Sequence, residues 1–138
     1  MSAKRARILL VDDSAQVLEQ EKKLLEKTGV ELFTAFTGPE AIKAIHLNQP
    51  DLVFLDLMLP EMGGDAVCRF IKNDPKLKNI AIIMVTARKD EKTMQQCFQC
   101  GCDAYVTKPF TPEELLRKLK VILDEKEIDL DWDKLLEG

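Results

Sequence analysis

Three short aliphatic runs limit what this chain can fold into: RILLV (Arg7–Val11), LVFL (Leu52–Leu55) and IAIIMV (residues 80–85). None of them alternates apolar with polar side chains, so a strand built from any of them has no face to offer to water. Continuous apolar strands of roughly four to eight residues belong to a parallel sheet covered on both sides. Two weaker strands are expected over residues 30–36 (VELFTAF) and 104–107 (AYVT).

The segments between the runs read as helices. Residues 14–27 place Leu18, Leu24 and Leu25 at helical spacing and end before Gly29, a stop signal. Further helices are expected over 39–48 after Gly38-Pro39, over 65–73, over 90–100 and over 111–123. In the last, Thr111 suits the N-cap, Pro112 the first helical position and Glu114 the closing residue of a capping box. Five repeats of strand then helix, joined by right-handed crossovers, give an α/β fold with a doubly wound five-stranded parallel sheet. Its ligands bind outside the carboxyl ends of the strands. The 138 residues suit one domain with a packed core, and 46% hydrophobic with 32% charged residues is ordinary globular composition. The domain is expected over residues 1–123, with 124–138 an acidic C-terminal extension or the start of a linker.

Charge narrows the function classes. The formal charge is −4, and residues 124–138 alone carry seven acids and two lysines, leaving the body nearly neutral. With no basic stripe, direct nucleic-acid binding is not expected. No apolar stretch is long enough for a membrane span, and the four-residue run after Arg7 is too short for a signal-peptide core. A cytoplasmic location is expected. The four cysteines are not spaced like a secreted disulfide framework. Cys97, Cys100 and Cys102 lie close enough in sequence to suggest a thiolate metal site. Cys68 is distant, however, and cysteine packs readily as a small apolar residue.

The strand ends gather the chemistry. Asp12 and Asp13 follow the first strand, Asp56 the third, Thr86 the fourth and Lys108-Pro109 the fifth. Three carboxylates on one edge repel each other, and one lysine cannot neutralise them; a hard divalent cation with oxygen ligands, Mg²⁺, can. Asp56 is then free to act as a nucleophile, because a carboxylate can form an acyl phosphate. Phosphoryl transfer needs positioning and charge neutralisation, which Lys108 and the Thr86 hydroxyl can supply, and the small Ala87 leaves the site open. His46 lies away from these motifs as a surface or boundary residue, and Met84 and Phe98 read as core positions.

The stretches ILLVDDS, PDLVFLDLMLPEMGG, IIMVTA and DAYVTKPF resemble the receiver domain of two-component response regulators over about residues 5–123. The resemblance implies a flavodoxin-like (βα)5 receiver fold and a phosphorylation-dependent switch. Asp56 would be the phosphoacceptor, served by a histidine kinase or phosphotransfer protein. It also implies Mg²⁺ held by Asp12, Asp13, Asp56 and the main-chain carbonyl of Met58, with Thr86 and Lys108 on the phosphoryl oxygens. Lys108-Pro109 would be a cis peptide, and Tyr105 the aromatic that moves with Thr86 in the switch. The phosphoryl group would be lost by hydrolysis, so the chain acts on itself rather than as a turnover enzyme. Met58 and Arg88, at positions where receivers vary, are not acids here, which leaves the phosphoryl lifetime open. The downstream effector, an output domain absent from this chain and homodimerisation on phosphorylation are also left open. A phosphatase of the haloacid dehalogenase type would need a second Asp where Met58 stands. The rival reading is a receiver-like scaffold that signals without phosphorylation.

Overall fold

The computed structural model describes residues 5–128. Five strands, β1 (Arg7–Val11), β2 (Glu31–Ala35), β3 (Leu52–Leu55), β4 (Ala81–Thr86) and β5 (Ala104–Thr107), form one parallel sheet in the order β2-β1-β3-β4-β5. Five helices connect or follow them: α1 (Ala15–Leu25), α2 (Gly38–Asn48), α3 (Gly64–Asn73), α4 (Glu91–Gln99) and α5 (Pro112–Glu125). The doubly wound parallel sheet expected from the aliphatic runs is therefore the observed fold.

Alternation along the strands divides the core in two. Ile8, Leu10, Leu52, Phe54, Ile83, Val85 and Val106 pack with Leu18 and Leu25 of α1 and Leu115, Leu119 and Leu123 of α5. Leu9, Val11, Val53, Leu55, Ile82, Met84 and Tyr105 pack on the other face with Ala41 and Ile45 of α2, Val67 and Ile71 of α3 and Cys97 of α4. Every residue of β3 and β4 is buried, as strands covered on both faces require.

Local chemistry fixes the element ends. Ser14, Thr37, Asp90 and Thr111 cap α1, α2, α4 and α5, each side chain accepting from the backbone N–H three residues on. The chain leaves α1 through a 3-10 turn (Glu26–Thr28) that ends at Gly29 with φ 78°, a conformation that suits glycine.

Several sequence expectations are corrected. Thr86 is the last residue of β4 rather than the first after it, because it pairs in register with Thr107. Helix α1 stops at Leu25, where the tighter 3-10 turn takes over, and α5 runs on to Glu125. Phe98 is not a core residue: it is 47% exposed, because the buried stripe of α4 passes through Thr93 and Cys97 and leaves its neighbour facing outward. Of residues 124–138, expected to be an acidic extension or the start of a linker, Asp124 and Glu125 belong to α5, and Leu130 and Trp132 lie outside the described residues.

The loop after β3 returns tightly onto the strand it leaves. The Gly64 N–H donates to the Leu57 carbonyl at 2.9 Å, and a Cβ on Gly64 would stand 2.2 Å from the Asp56 carbonyl oxygen and 2.9 Å from the Leu57 Cα. Those neighbours are backbone and cannot rotate away. Gly64→Ala is expected to lower stability by about 1–3 kcal/mol, seen as a lower urea midpoint, since overpacking of this kind must displace α3 or the strand end. An unchanged midpoint would show that the loop yields freely.

Candidate functional site

The order of the sheet reverses between β1 and β3: from β1 the chain first runs outward to β2, then crosses to β3 on the opposite side. Loops leaving two such strands diverge and open a crevice at their carboxyl ends. Val11 and Leu55 are register partners, and the Asp56 N–H donates to the Val11 carbonyl at 3.0 Å. Asp12 and Asp56 are thereby set side by side at the crevice.

Asp12, Asp13 and Asp56 each bring a carboxylate oxygen to within 4.8 Å of the others. Asp12 and Asp56 are buried, whereas Asp13 is exposed. Lys108, arriving from the end of β5, places its ammonium 2.5 Å from Asp12 Oδ2 and 3.1 Å from Asp56 Oδ2. The other oxygens are held from the backbone: Asp12 Oδ1 accepts from the Ser14 N–H at 2.9 Å, and Asp56 Oδ1 from the Met58 N–H at 3.1 Å. These are charge-assisted bonds, each stronger than a neutral one. Three carboxylates against one ammonium leave a formal deficit of two positive charges, which a divalent cation would cancel. An all-oxygen donor set suits Mg²⁺.

Burial raises the Asp56 carboxyl above the ordinary aspartate range, although the Met58 N–H and the Lys108 charge pull the other way. For Lys108, burial alone would weaken the charged form. Its hydrogen bond to Asp12 and the charge of Asp56 outweigh that, so the ammonium is held above its usual range. Removing Lys108 would leave two buried carboxylates facing each other without a cation, a costly arrangement.

Thr86 and Tyr105 lie on the other parity of the sheet. Thr86 is fully buried, and its Oγ1 accepts a long 3.5 Å bond from the Arg88 N–H. The Tyr105 hydroxyl donates to the Arg88 carbonyl at 2.8 Å. A single residue of the loop between β4 and α4 therefore bridges the two side chains through its own peptide groups. The Tyr105 phenol is pushed up to about 12, chiefly by burial, so it remains a donor. The peptide between Lys108 and Pro109 is cis. Met58 is exposed beside the site, and His46 is exposed and packs its ring edge-on to Phe70, 5.8 Å between centroids.

One residue of this neighbourhood escaped the sequence reading. Glu21 of α1 is only 1% exposed, its Oε1 has no hydrogen-bond partner, and its carboxyl is pushed up to about 8. Burial is the main cause, the charge of Asp12 the next, and Lys108 opposes them. The signal was present in the spacing: Leu18, Glu21 and Leu25 share the inward stripe of α1. In the unfolded chain this group ionises near 4.5, while the folded protein keeps its proton to about 8. The unfolded state thus releases its proton first, so stability falls as pH rises from about 4.5 to about 8 and then levels off. Glu21→Gln is expected to flatten that fall and to be more stable than wild type at the alkaline end, by an amount on the order of a few kcal/mol. Urea midpoints across that pH range in metal-free buffer give the comparison, and parallel profiles for the two proteins would refute it.

Known proteins resemble the chain along most of its length. A family model for the response regulator receiver domain matches residues 8–120. The chain is 40% identical over 116 residues to the phosphate regulon transcriptional regulatory protein PhoB of Pseudomonas aeruginosa, covering 84% of this chain and 51% of that protein. It is 36% identical over 122 residues to the alkaline phosphatase synthesis transcriptional regulatory protein PhoP of Bacillus subtilis, covering 88% and 50%. The chain thus spans about half the length of these curated relatives. Among solved structures, a putative response regulator from Chloroflexus aurantiacus superposes with a TM-score of 0.83 at 35% identity, covering 88% of this chain and 99% of that one. The BeF3-activated DrrB receiver domain superposes with a TM-score of 0.79 at 31% identity, covering 88% and 99%. Among the described residues, no helix is long and apolar enough to cross a membrane. Fold, acidic crevice and sequence matches together place the chain in the response regulator receiver domain family.

Proposed function

We propose that the chain is a phosphorylation-dependent switch in which Asp56 accepts a phosphoryl group from a histidine kinase or phosphotransfer protein in the cytoplasm. The observation that carries this reading is the crevice itself. Three carboxylates bring oxygens within 4.8 Å of one another, and an ammonium reaches two of the three. Receiver chemistry is assigned to residues 1–123 and a linking or docking role to the acidic segment after them.

In this reading Asp12, Asp13 and Asp56, with the main-chain carbonyl of Met58, hold Mg²⁺. Bound there, the ion supplies the positive charge that lets an anionic phosphoryl group approach three carboxylates. Asp56 Oδ attacks phosphorus as the donor's bond to phosphorus breaks, leaving an acyl phosphate on the side chain. Lys108 already stands 3.1 Å from Asp56 Oδ2 and takes one phosphoryl oxygen. The Thr86 hydroxyl, whose existing bond to Arg88 N–H is long, turns to another. Arg88 and Tyr105 share a hydrogen bond, so a change at Thr86 reaches the β4–α4 loop and the Tyr105 ring. A ligand shifts such an equilibrium only by its difference in affinity for the two states, and the Thr86 and Lys108 contacts supply that difference. Water attack on the same phosphorus returns Asp56 and resets the switch. The chain thus modifies itself and does not turn over a separate substrate.

Incubation with Mg²⁺ and a small acyl phosphate is expected to add one phosphoryl group to the intact mass, and Asp56→Asn or chelation to abolish it. Lys108→Ala should keep the fold yet lower the labelling rate by about tenfold or more, as expected for loss of a charge aimed at the transferring group. No adduct under conditions that label another receiver would favour the phosphorylation-independent scaffold.

A further inference from the structure

The four cysteines converge on the seam between α3 and α4. Cys68, Cys97 and Cys102 are 0%, 1% and 5% exposed, and burial is the chief cause that raises all three thiols, Cys68 and Cys102 to about 12. They are inert by environment, since the thiolate is the reacting species. Cys100 differs in its exposure and in its neighbour. It is the half-buried C-cap of α4, and the Arg69 guanidinium donates to its sulfur at 3.0 Å. The same guanidinium is anchored by Asp65, one helical turn away, at 3.1 Å.

Cys100 opens onto a cavity of about 630 Å³ between α3 and α4, bounded on the far side by Leu57 and Met58. Its lining carries two guanidiniums, Arg69 and Arg88, against one carboxylate, Asp65. Arg88 is itself held at 3.1 Å by Asp90 and by Thr93. A second thiol waits behind the first: Cys68 donates its S–H to the Cys100 carbonyl at 3.4 Å. An accessible sulfur beside a fixed cation, with another thiol close behind it, is the arrangement of an oxidisable site.

We propose that Cys100 is a reversible thiol-modification site that exchanges with low-molecular-weight disulfides of anionic character, the Arg69 guanidinium facing the attacking sulfur. The Cys100 proton passes to solvent, and its sulfur attacks one sulfur of the incoming disulfide. A protein mixed disulfide forms as the old S–S bond breaks, and the other half leaves as a thiolate that solvent protonates. The Cys100 sulfur is oxidised and the departing thiol is reduced, so the exchange needs no other oxidant.

Glutathione disulfide, which bears several carboxylates, is the probe. The folded full chain is incubated with it without reductant and followed by intact mass and by peptide mapping under non-reducing conditions. The expected product is a single adduct on Cys100; Cys100→Ser does not form it. Arg69→Gln lowers the initial rate roughly three- to tenfold with an unchanged urea midpoint, and Arg69→Lys recovers part of it. Modification that persists in Cys100→Ser, a rate unaltered in Arg69→Gln, or no reaction when the urea-unfolded chain is readily modified would each overturn the proposal.

Discussion

Three carboxylates at the ends of two adjacent strands cannot share a crevice without a cation, and among the described residues the Lys108 ammonium supplies it. It reaches across from β5 to touch Asp12 and Asp56 together, tying the first, third and fifth strands at their carboxyl ends. One ammonium offsets part of the repulsion and leaves a net negative pocket. In the proposed switch that residual charge would keep an anionic group out until a divalent ion arrived, and would give the ion its place. In that proposal the same lysine, 3.1 Å from Asp56 Oδ2, would also face a group added to Asp56.

The sheet translates this local electrostatics into two separable tasks. Strand alternation leaves Asp12, Asp56 and Lys108 on the parity that packs against α1 and α5, while Met84, Thr86 and Tyr105 belong to the parity facing α3 and α4. The acidic crevice thereby lies on one parity, and on the other Arg88 bridges Thr86 and Tyr105 through its own peptide groups. The arrangement has a cost. Gly64 must remain without a side chain so that α3 can start against the Asp56 carbonyl, and Glu21 sits in the α1 stripe with an oxygen that nothing satisfies. A buried carboxyl without a partner destabilises the fold at neutral pH, unlike the leucines on either side of it.

Much of this was legible in the sequence for a plain reason: strands buried on both faces must be continuously apolar, so a polar residue that ends such a run marks a strand terminus. Asp12 and Asp56 each stand at such a break, Lys108 follows the weaker run AYVT, and alternation with helices places all three on one edge. Other features were not legible, because they depend on direction rather than on type. Phe98 reads as core by composition, yet it lies next to the buried stripe of α4 rather than on it. Glu21 reads as surface by composition, yet its position in the 18–21–25 spacing turns it inward. The meeting of Cys68 with Cys100 joins residues 32 apart in sequence, through the packing of α3 on α4, and local spacing carries no trace of it.

The central claim is that Asp56, among three neighbouring carboxylates, is the one that becomes an acyl phosphate. Reduction with borohydride after incubation with Mg²⁺ and phosphodonor turns an acyl phosphate into an alcohol, and peptide mass mapping then locates the altered residue. Homoserine at position 56 alone, dependent on both Mg²⁺ and donor, is the outcome that the proposed switch predicts. Homoserine at position 12 or 13, or a chain unaltered by hydride although phosphate has been incorporated, would contradict it.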